Sequence, residues 1–246
     1  MKVRILEFFK IKFINDNYQF IIKYLLKKKG YLVAPAASSL ANIDKDNHYL
    51  KALQKSSVAI FDSGYFCILI LLFKLKRVNK FSGFKFINFF LNDENKKNYK
   101  ILSLESSIEN LNKNKYIFKQ KKFKFIRQYL CPIYKQDLFH DKKLINLIIN
   151  YKPKIIIINI GGGVQEKLAL YIKNSSSWKT SILCTGAAMS FISDSSKFLN
   201  INNFYDKIYM GWLVRSINNP SFFYRRVLKS MRLFFLVFKD KTKVIY

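Results

Sequence analysis

The clearest hydrophobic pattern in this chain lies at residues 154–174, KIIIINIGGGVQEKLALYIKN. The isoleucines form a run that is too short for a long helix and rich in β-branched residues, which predicts a strand buried on both faces. Val164, Leu168 and Ile172 are spaced by four, which predicts a helix. Three glycines stand between the two patterns. The stretch therefore predicts a strand, a glycine turn and a helix.

The same alternation of apolar runs and turns continues along most of the chain. It predicts strands near residues 31–35, 58–61, 101–104, 128–133 and 180–184 and helices near 46–55, 65–76, 84–91, 106–113 and 141–150. Strands that alternate with helices predict a mainly parallel, doubly wound α/β sheet. Residues 1–30 are expected to form one or two basic helices, and residues 113–124 a lysine-rich loop or exposed edge. From about 205 a helical pattern is broken at Asn219-Pro220.

Charge and composition limit the possible binding partners, the state of the cysteines and the cellular compartment. The formal net charge of +29 suits nucleic acid, an anionic membrane surface or a phosphorylated substrate. The three cysteines and two histidines have neither disulfide nor zinc spacing, so we expect buried thiols and a reducing compartment. No signal peptide and no apolar run of spanning length is recognised, which predicts a cytosolic protein, with attachment to a membrane face left open.

Two places in the pattern are candidates for a site. Asp62 follows a buried strand and precedes Gly64, and ligands of open α/β sheets gather at the carboxyl ends of strands. The alternative role for Asp62 is to cap the next helix. The turn Gly161–Gly163 and the helix after it would offer N–H groups to a phosphate, with Gln165 and Glu166 facing the ligand. The alternative is a tight turn that needs glycine for steric reasons.

The C-terminal residues mix arginines and lysines with large aromatic side chains. Arg215, Arg225 and Arg226 stand close to Trp212 and Tyr224. This mixture is compatible with an interfacial membrane anchor, with a nucleic-acid surface, or with a helix pair that covers the sheet.

Four stretches in this order resemble the WecG/TagA/CpsF glycosyltransferases. They are DSG after a strand, IIIINIGGGVQEKLALYI, TGAAMSFIS, and GWLVRSINNPSFFYRR. The resemblance covers roughly residues 31–232. It departs from the family where Asp62-Ser63-Gly64 replaces Asp-Gly, where Ala34-Pro35-Ala36 replaces a Thr-Pro-Asn loop, and where Gly211 replaces a glutamate.

The resemblance implies a Rossmann-like core, residues 31–204, between a basic N-terminal segment, 1–30, and a basic aromatic C-terminal appendage, 205–246. It implies inverting transfer of a hexose, N-acetylmannosamine or another, from a UDP-sugar to a polyprenyl-diphosphate-linked sugar in cell-surface polysaccharide synthesis. The enzyme would lie on the inner face of the cell membrane, touching anionic lipid, as a monomer or an oligomer.

The resemblance also assigns roles to residues. Asp62 would be the general base, and Gly161, Gly162, Gly163, Gln165, Glu166 and Gly186 would contact substrate. Arg215, Arg225 and Arg226 would face the diphosphate. Many glycosyltransferases hold a metal ion on Asp-x-Asp; we expect no such motif here, no cofactor, and arginines with a helix N-terminus in its place. The competing hypotheses are a basic nucleic-acid-binding α/β protein and an inactive relative that binds lipid-linked sugars.

Overall fold

A computed structural model of the chain shows, over the residues that it describes, an α/β fold built on one nine-stranded sheet. It describes residues 5–134, 139–186, 188–193, 209, 220–240 and 243–245, and in the last helix the side chains from 226 onward. The strands are β1 Ile5–Phe8, β2 Ile11–Ile14, β3 Tyr31–Val33, β4 Val58–Ala59, β5 Lys100–Glu105, β6 Phe125–Leu130, β7 Ile155–Asn159, β8 Ser181–Cys184 and β9 Lys243–Ile245. Their order across the sheet is β6-β5-β7-β8-β3-β4-β2-β1-β9.

Helices connect and cover these strands. They are α1 Tyr18–Lys28, α2 Ala37–Leu40, α3 Asn47–Gln54, α4 Gly64–Lys74, α5 Gly83–Asn92, α6 Ile108–Gln120, α7 Lys142–Tyr151, α8 Val164–Ser175, α9 Ala188–Ser193 and α10 Pro220–Lys239, with a 3-10 turn at Glu94–Lys96. None of the helices in the described ranges is both long and apolar enough to cross a membrane.

The strands from β3 to β8 run parallel to their neighbours, and β2 runs parallel to β4. β7 shows why the isoleucine run is buried: Ile156 and Ile158 join the core on one face of the sheet, and Ile155 and Ile157 join the core on the other. A strand covered on both faces needs apolar residues at every position. The prediction of a mainly parallel, Rossmann-like sheet flanked by helices is confirmed.

The predicted N-terminal helices are wrong over residues 5–14, which form an antiparallel hairpin of β1 and β2. Leu6 and Phe8, two residues apart, are buried, as a strand requires. The turn consists of Phe9 and Lys10, both with positive φ, 49° and 61°. That conformation suits a tight hairpin turn, but the residues that usually signal it, Asn and Gly, are missing. Only α1 fulfils the helical prediction in this segment.

The predicted loop at 113–124 is wrong too, because α6 continues to Gln120 and its lysines occupy the solvent side of a helix. The strand expected at 128–133 begins earlier, at Phe125. At the other end of the chain, the break at Asn219-Pro220 coincides with the first residue of α10, a position that suits proline. The helix predicted before that break lies outside the described residues.

The C-terminal segment joins the sheet instead of only covering it. β9, which the sequence did not predict, pairs antiparallel with β1 at the edge of the sheet. α10 buries Leu233 and Val237 and lies against α2 and α4. Lys74, the last residue of α4, donates to the carbonyl oxygen of Asp240 at 2.5 Å. The sheet thus extends into both flanking segments, while their separate roles stay a prediction.

Candidate active site

The carboxyl ends of β7, β8, β3, β4 and β2 lie side by side along one edge of the sheet, because these strands are neighbours and parallel. The chain forms β3 and β4 first and then crosses to the far side of the sheet, so the later strand β8 lies beside the early strand β3. Ligands of open parallel sheets bind outside the carboxyl ends of the strands. The residues after these strands therefore form the candidate active site.

Asp62 follows β4 at this edge and is half-buried. It does not cap the helix that follows it: Ser63 does so, its Oγ accepting from the N–H of Phe66 at 3.2 Å. Instead, Asp62 Oδ1 accepts from the N–H of Gly83, the first residue of α5, at 2.8 Å. This bond orients the carboxylate at the strand end. The capping alternative for α4 is wrong, and the role of base stays a prediction.

Gly83 brings Asp62 next to β8. A Cβ atom at Gly83 would lie 2.9 Å from the carbonyl oxygen of Thr185, so only glycine allows α5 to start this close to the end of β8. The Thr185 hydroxyl oxygen is buried, and nothing in the described part of the chain hydrogen-bonds to it. The next residue, Gly186, has φ of +68°.

The glycine turn after β7 is only partly explained by sterics. Gly163 has φ of +90° and needs glycine. Gly161 and Gly162 are exposed and have no positive φ, and an added Cβ would meet nothing within 4 Å at Gly161 and only Ser39 Oγ, at 3.8 Å, at Gly162. Backbone conformation therefore requires glycine only at the last position. The first two glycines leave open backbone beside the N-terminus of α8, as a bound phosphate would require.

Gln165 and Glu166 are not on the open surface, where the sequence placed them. Each is 1% exposed. Gln165 Oε1 accepts from the N–H of Gly186 at 2.9 Å, and its Nε2 donates to Glu166 Oε1 at 2.9 Å. Glu166 Oε2 accepts from the N–H of Gly163 at 2.7 Å. The two side chains link the turn after β7 to the turn after β8, and contact with substrate stays a prediction for both.

Burial opposes the charge on Glu166, and hydrogen bonds favour it. Desolvation raises the pKa of the Glu166 carboxyl above its ordinary value, while the N–H of Gly163 and the amide of Gln165 pull that pKa down. Both carboxyl oxygens accept hydrogen bonds, which suits the ionised form. The charge of Glu166 also adds to the burial that raises the pKa of Tyr49 and of Cys184.

We expect Gln165→Ala to lower stability before it changes chemistry. The substitution leaves the N–H of Gly186 and one oxygen of Glu166 without their partner in a buried place, which costs about 1–3 kcal/mol. Tm should fall by about 5 °C, read by thermal unfolding. Asn174→Ala, at an exposed position of the same helix, is the control for a helix substitution. An unchanged Tm together with weaker substrate binding would show instead that Gln165 acts on substrate, as the sequence suggested.

Arg226 reaches the same edge from the C-terminal helix. It lines, together with residues of α2, α3 and the glycine turn, a cleft of about 350 Å³ that we name the glycine cleft. The lining residues are Ser38, Ser39, Asn42, Asp46, Tyr49, Gly163, Arg226 and Lys229. The Tyr49 hydroxyl is buried and forms no hydrogen bond of ordinary geometry with any described residue, and burial raises its pKa well above the usual range. Arg215 and the side chain of Arg225 lie outside what the structure describes.

The chain does contain one Asp-x-Asp tripeptide, Asp44-Lys45-Asp46, so the expectation that it has none is wrong. Its carboxylates already have cationic partners. Asp44 pairs with both terminal nitrogens of Arg232, at 2.6 and 2.5 Å, and the Arg232 hydrogen bond holds the pKa of Asp44 below its ordinary value. Asp46 pairs with Lys167 at 2.8 Å and caps α3. Within the described residues, no three His, Cys, Asp or Glu side chains converge as metal ligands do.

Several residues at this edge escaped the sequence analysis. Burial raises the pKa of the Cys67 thiol to about 12. The charge of Lys80 lowers this pKa, and the charge of Asp62 raises it. Ser39 and Lys229 line the glycine cleft. The serine follows Pro35 just after β3, so its place after a strand was a usable signal. No local pattern distinguishes Lys80 or Lys229 from the many other lysines.

The fold and this edge define a Rossmann-like α/β protein with a glycine turn, a carboxylate and basic side chains at the carboxyl ends of its strands. Residues 7–244 match the model of the family described as Glycosyl transferase WecG/TagA/CpsF family. Since the match spans nearly the whole chain, the protein belongs to this family and is a glycosyltransferase of cell-surface polysaccharide synthesis. No curated protein matches the chain.

Proposed function

We propose that the protein transfers a hexose from a UDP-sugar to a sugar carried on a polyprenyl diphosphate, with inversion and without a metal ion. The observation that carries this proposal is that two kinds of group share one edge of the sheet. Asp62 follows β4, and the glycine cleft, which Arg226 and Lys229 of α10 line, lies at the turn that follows β7. A transferase of this kind needs a carboxylate to take the acceptor proton and positive groups to stabilise the departing diphosphate. Both kinds of group stand at this edge.

The donor diphosphate fits the glycine cleft. Its walls supply Gly163, which directly precedes α8, the hydroxyls of Ser38 and Ser39, and the charges of Arg226 and Lys229. Such groups bind phosphate oxygens and stabilise the charge that develops on UDP as it leaves. As the C1–O bond to UDP breaks, the acceptor oxygen bonds to C1 and its proton passes to Asp62.

α10 keeps the cationic groups in place. Arg232 donates to the carbonyl oxygen of Ala41, at the end of α2, as well as to Asp44. It therefore ties α10 to the segment that supplies Ser38 and Ser39. Arg226 and Lys229 stand on the same helix, six and three residues earlier.

The experiment that tests the donor site measures transfer from a panel of UDP-hexoses to a synthetic lipid diphosphate bearing one sugar, with products weighed by mass spectrometry. Arg226→Ala with Lys229→Ala should raise the donor KM about tenfold or more, because charge-assisted bonds to phosphate are lost. Lys51→Ala and Lys23→Ala, both on exposed lysines of other helices, give the matched control. No product from any UDP-sugar, or an unchanged donor KM, would contradict the proposal.

We expect the transfer to continue in excess EDTA. Asp44 and Asp46 are engaged by Arg232 and Lys167, so the Asp-x-Asp tripeptide is not arranged as an open metal site. The measurement is the initial rate with EDTA and after adding Mg²⁺ or Mn²⁺. Loss of activity that Mn²⁺ restores would contradict this expectation and point to Asp46, which already lines the glycine cleft.

The same helix carries a surface that suits a membrane. α10 is apolar on two sides: Leu233 and Val237 are buried, while Phe235 and Phe238 are exposed by 61% and 64%. The exposed side continues onto α4, where Leu72 is exposed by 62%, and onto Leu75, just after α4, which is exposed by 84%. Phe73 of α4 packs edge-on against Phe234 and Phe238 and joins the two helices. We name the exposed side chains of Leu72, Leu75, Phe235 and Phe238 the apolar face.

Basic residues are close in sequence to those of the apolar face. Lys74 ends α4, Lys76 and Arg77 follow it, and Lys239 ends α10. Aromatic side chains inserted among headgroups, with lysine and arginine beside anionic lipid, are how interfacial helices bind membranes reversibly. The apolar face therefore supports the proposal of a peripheral protein on the inner face of the cell membrane, where a polyprenyl-linked acceptor resides.

A further inference from the structure

A second cleft lies at the same edge of the sheet, on the other side of Asp62. It opens between the loop that follows β2 and the first turns of α5, with a volume of about 370 Å³. We name it the β2 cleft; its walls include Asn17, Tyr18, Gln19, Lys80, Lys85 and Phe89. β2 is parallel to β4, so its carboxyl end lies beside the end of the strand that carries Asp62. The order along the edge is glycine turn, Gly186, Asp62, β2 cleft.

We propose that the β2 cleft binds the sugar and diphosphate of the lipid-linked acceptor. This inference rests on the proposed function. Inverting transfer requires the acceptor oxygen and the departing diphosphate to lie on opposite faces of the donor sugar, with the base on the acceptor side. The glycine cleft holds the groups for the departing diphosphate. The acceptor then lies on the side of Asp62 away from the glycine turn, where the β2 cleft opens.

The side chains of the β2 cleft suit a sugar diphosphate. Tyr18 and Phe89 form a stacked pair, with ring centroids 5.6 Å apart, and Phe89 is 46% exposed, which leaves an aromatic face open to solvent. The apolar face of a pyranose ring can cover such a surface, while the amides of Asn17 and Gln19 offer bonds to hydroxyls. Lys80 and Lys85 supply positive charge for the diphosphate.

Hydrogen bonds hold the walls of the β2 cleft in place, which supports a preformed cleft. Asn15, at the end of β2, accepts through Oδ1 from the N–H of Asn79 at 2.7 Å. The Tyr18 hydroxyl donates to Asp93 at 3.0 Å. The N–H of Phe81 donates to the carbonyl oxygen of Phe61, the residue before Asp62, at 2.9 Å. The segment that carries Lys80 is thus fixed to the strand end that carries Asp62.

The test measures binding and transfer separately. The probes are UDP and decyl diphosphate bearing N-acetylglucosamine, each titrated by calorimetry into the full chain. We expect the decyl probe to bind with UDP already present. Lys85→Ala, an exposed lysine whose loss spares the core, and Phe89→Ala should each weaken the decyl probe about tenfold and leave the Kd of UDP unchanged. Lys51→Ala, an exposed lysine on α3, and Tyr116→Ala, an exposed aromatic residue on α6, should change neither.

Competition between UDP and the decyl probe for one site would overturn this assignment, and so would unchanged binding of the probe to both cleft variants. Transfer assays distinguish that failure from a failure of the proposed function. If the unmodified protein transfers sugar and Lys85→Ala leaves the acceptor KM unchanged, the proposed function is retained and this subsite is rejected. Binding of both probes in the expected pattern without any transfer would retain the subsite and reject the transferase chemistry.

Discussion

Asp62→Asn should lower turnover by about 10²- to 10⁴-fold, the usual contribution of a general base. An asparagine keeps a side-chain oxygen that can accept from the N–H of Gly83, so the anchor between β4 and α5 survives. What disappears is the ability to take the proton from the acceptor hydroxyl. The measurement is kcat on a lipid-linked acceptor, with KM for both substrates determined in parallel.

Ser63→Ala is the matched control for this prediction. Ser63 is the neighbour of Asp62 and caps α4, so its loss should cost roughly 1 kcal/mol of stability and leave kcat almost unchanged. The two variants separate a chemical role from a structural one at adjacent positions. Asp62→Asn with near-normal kcat and an unchanged circular dichroism spectrum would rule out Asp62 as the base.

Replacing Leu72, Leu75 and Phe235 with serine should weaken binding to vesicles that contain anionic lipid by about 100-fold or more. Each of these three side chains is exposed by more than 60% and contributes little to the core. Each apolar side chain that enters the headgroup region adds about 1 kcal/mol or more to binding. The measurement is co-sedimentation with vesicles at physiological salt, and activity on lipid-linked acceptor should fall with it.

The control for this triple variant replaces three other exposed residues with serine, namely Ile108, Tyr116 and Ile133. All three are well exposed, but they belong to α6 and the loop after β6, next to the edge of the sheet opposite β9. Their loss should leave vesicle binding intact. Equal loss in both triple variants would show that the apolar face has no special role. Tight binding to an oligonucleotide that falls steeply with salt, without vesicle binding, would favour the nucleic-acid hypothesis.

The sequence alone determined the centre of this protein. A run of β-branched residues specifies β7, and an apolar spacing of four specifies α8, with the glycine turn between them. Both patterns are local in the sequence, and each matches the periodicity of one type of secondary structure. The alternation of such units predicted the parallel sheet. The position of Asp62 also followed from a local pattern. An apolar run that ends in Asp62 shortly before Gly64 predicts a strand with an aspartate at its carboxyl end.

Only the tertiary structure decided what these residues contact. Gln165 and Glu166 stand in the first turn of α8, where a ligand was expected, yet they bind backbone of the turns after β7 and β8. A helical position fixes the direction of a side chain, but not what other segments place there. Arg226 lines the same cleft as Gly163, 63 residues earlier in the chain, and Lys85 shares a cleft with Gln19. The hairpin of β1 and β2 and the edge strand β9 were missed for a related reason: strand pairing depends on distant partners, and short strands carry little local signal.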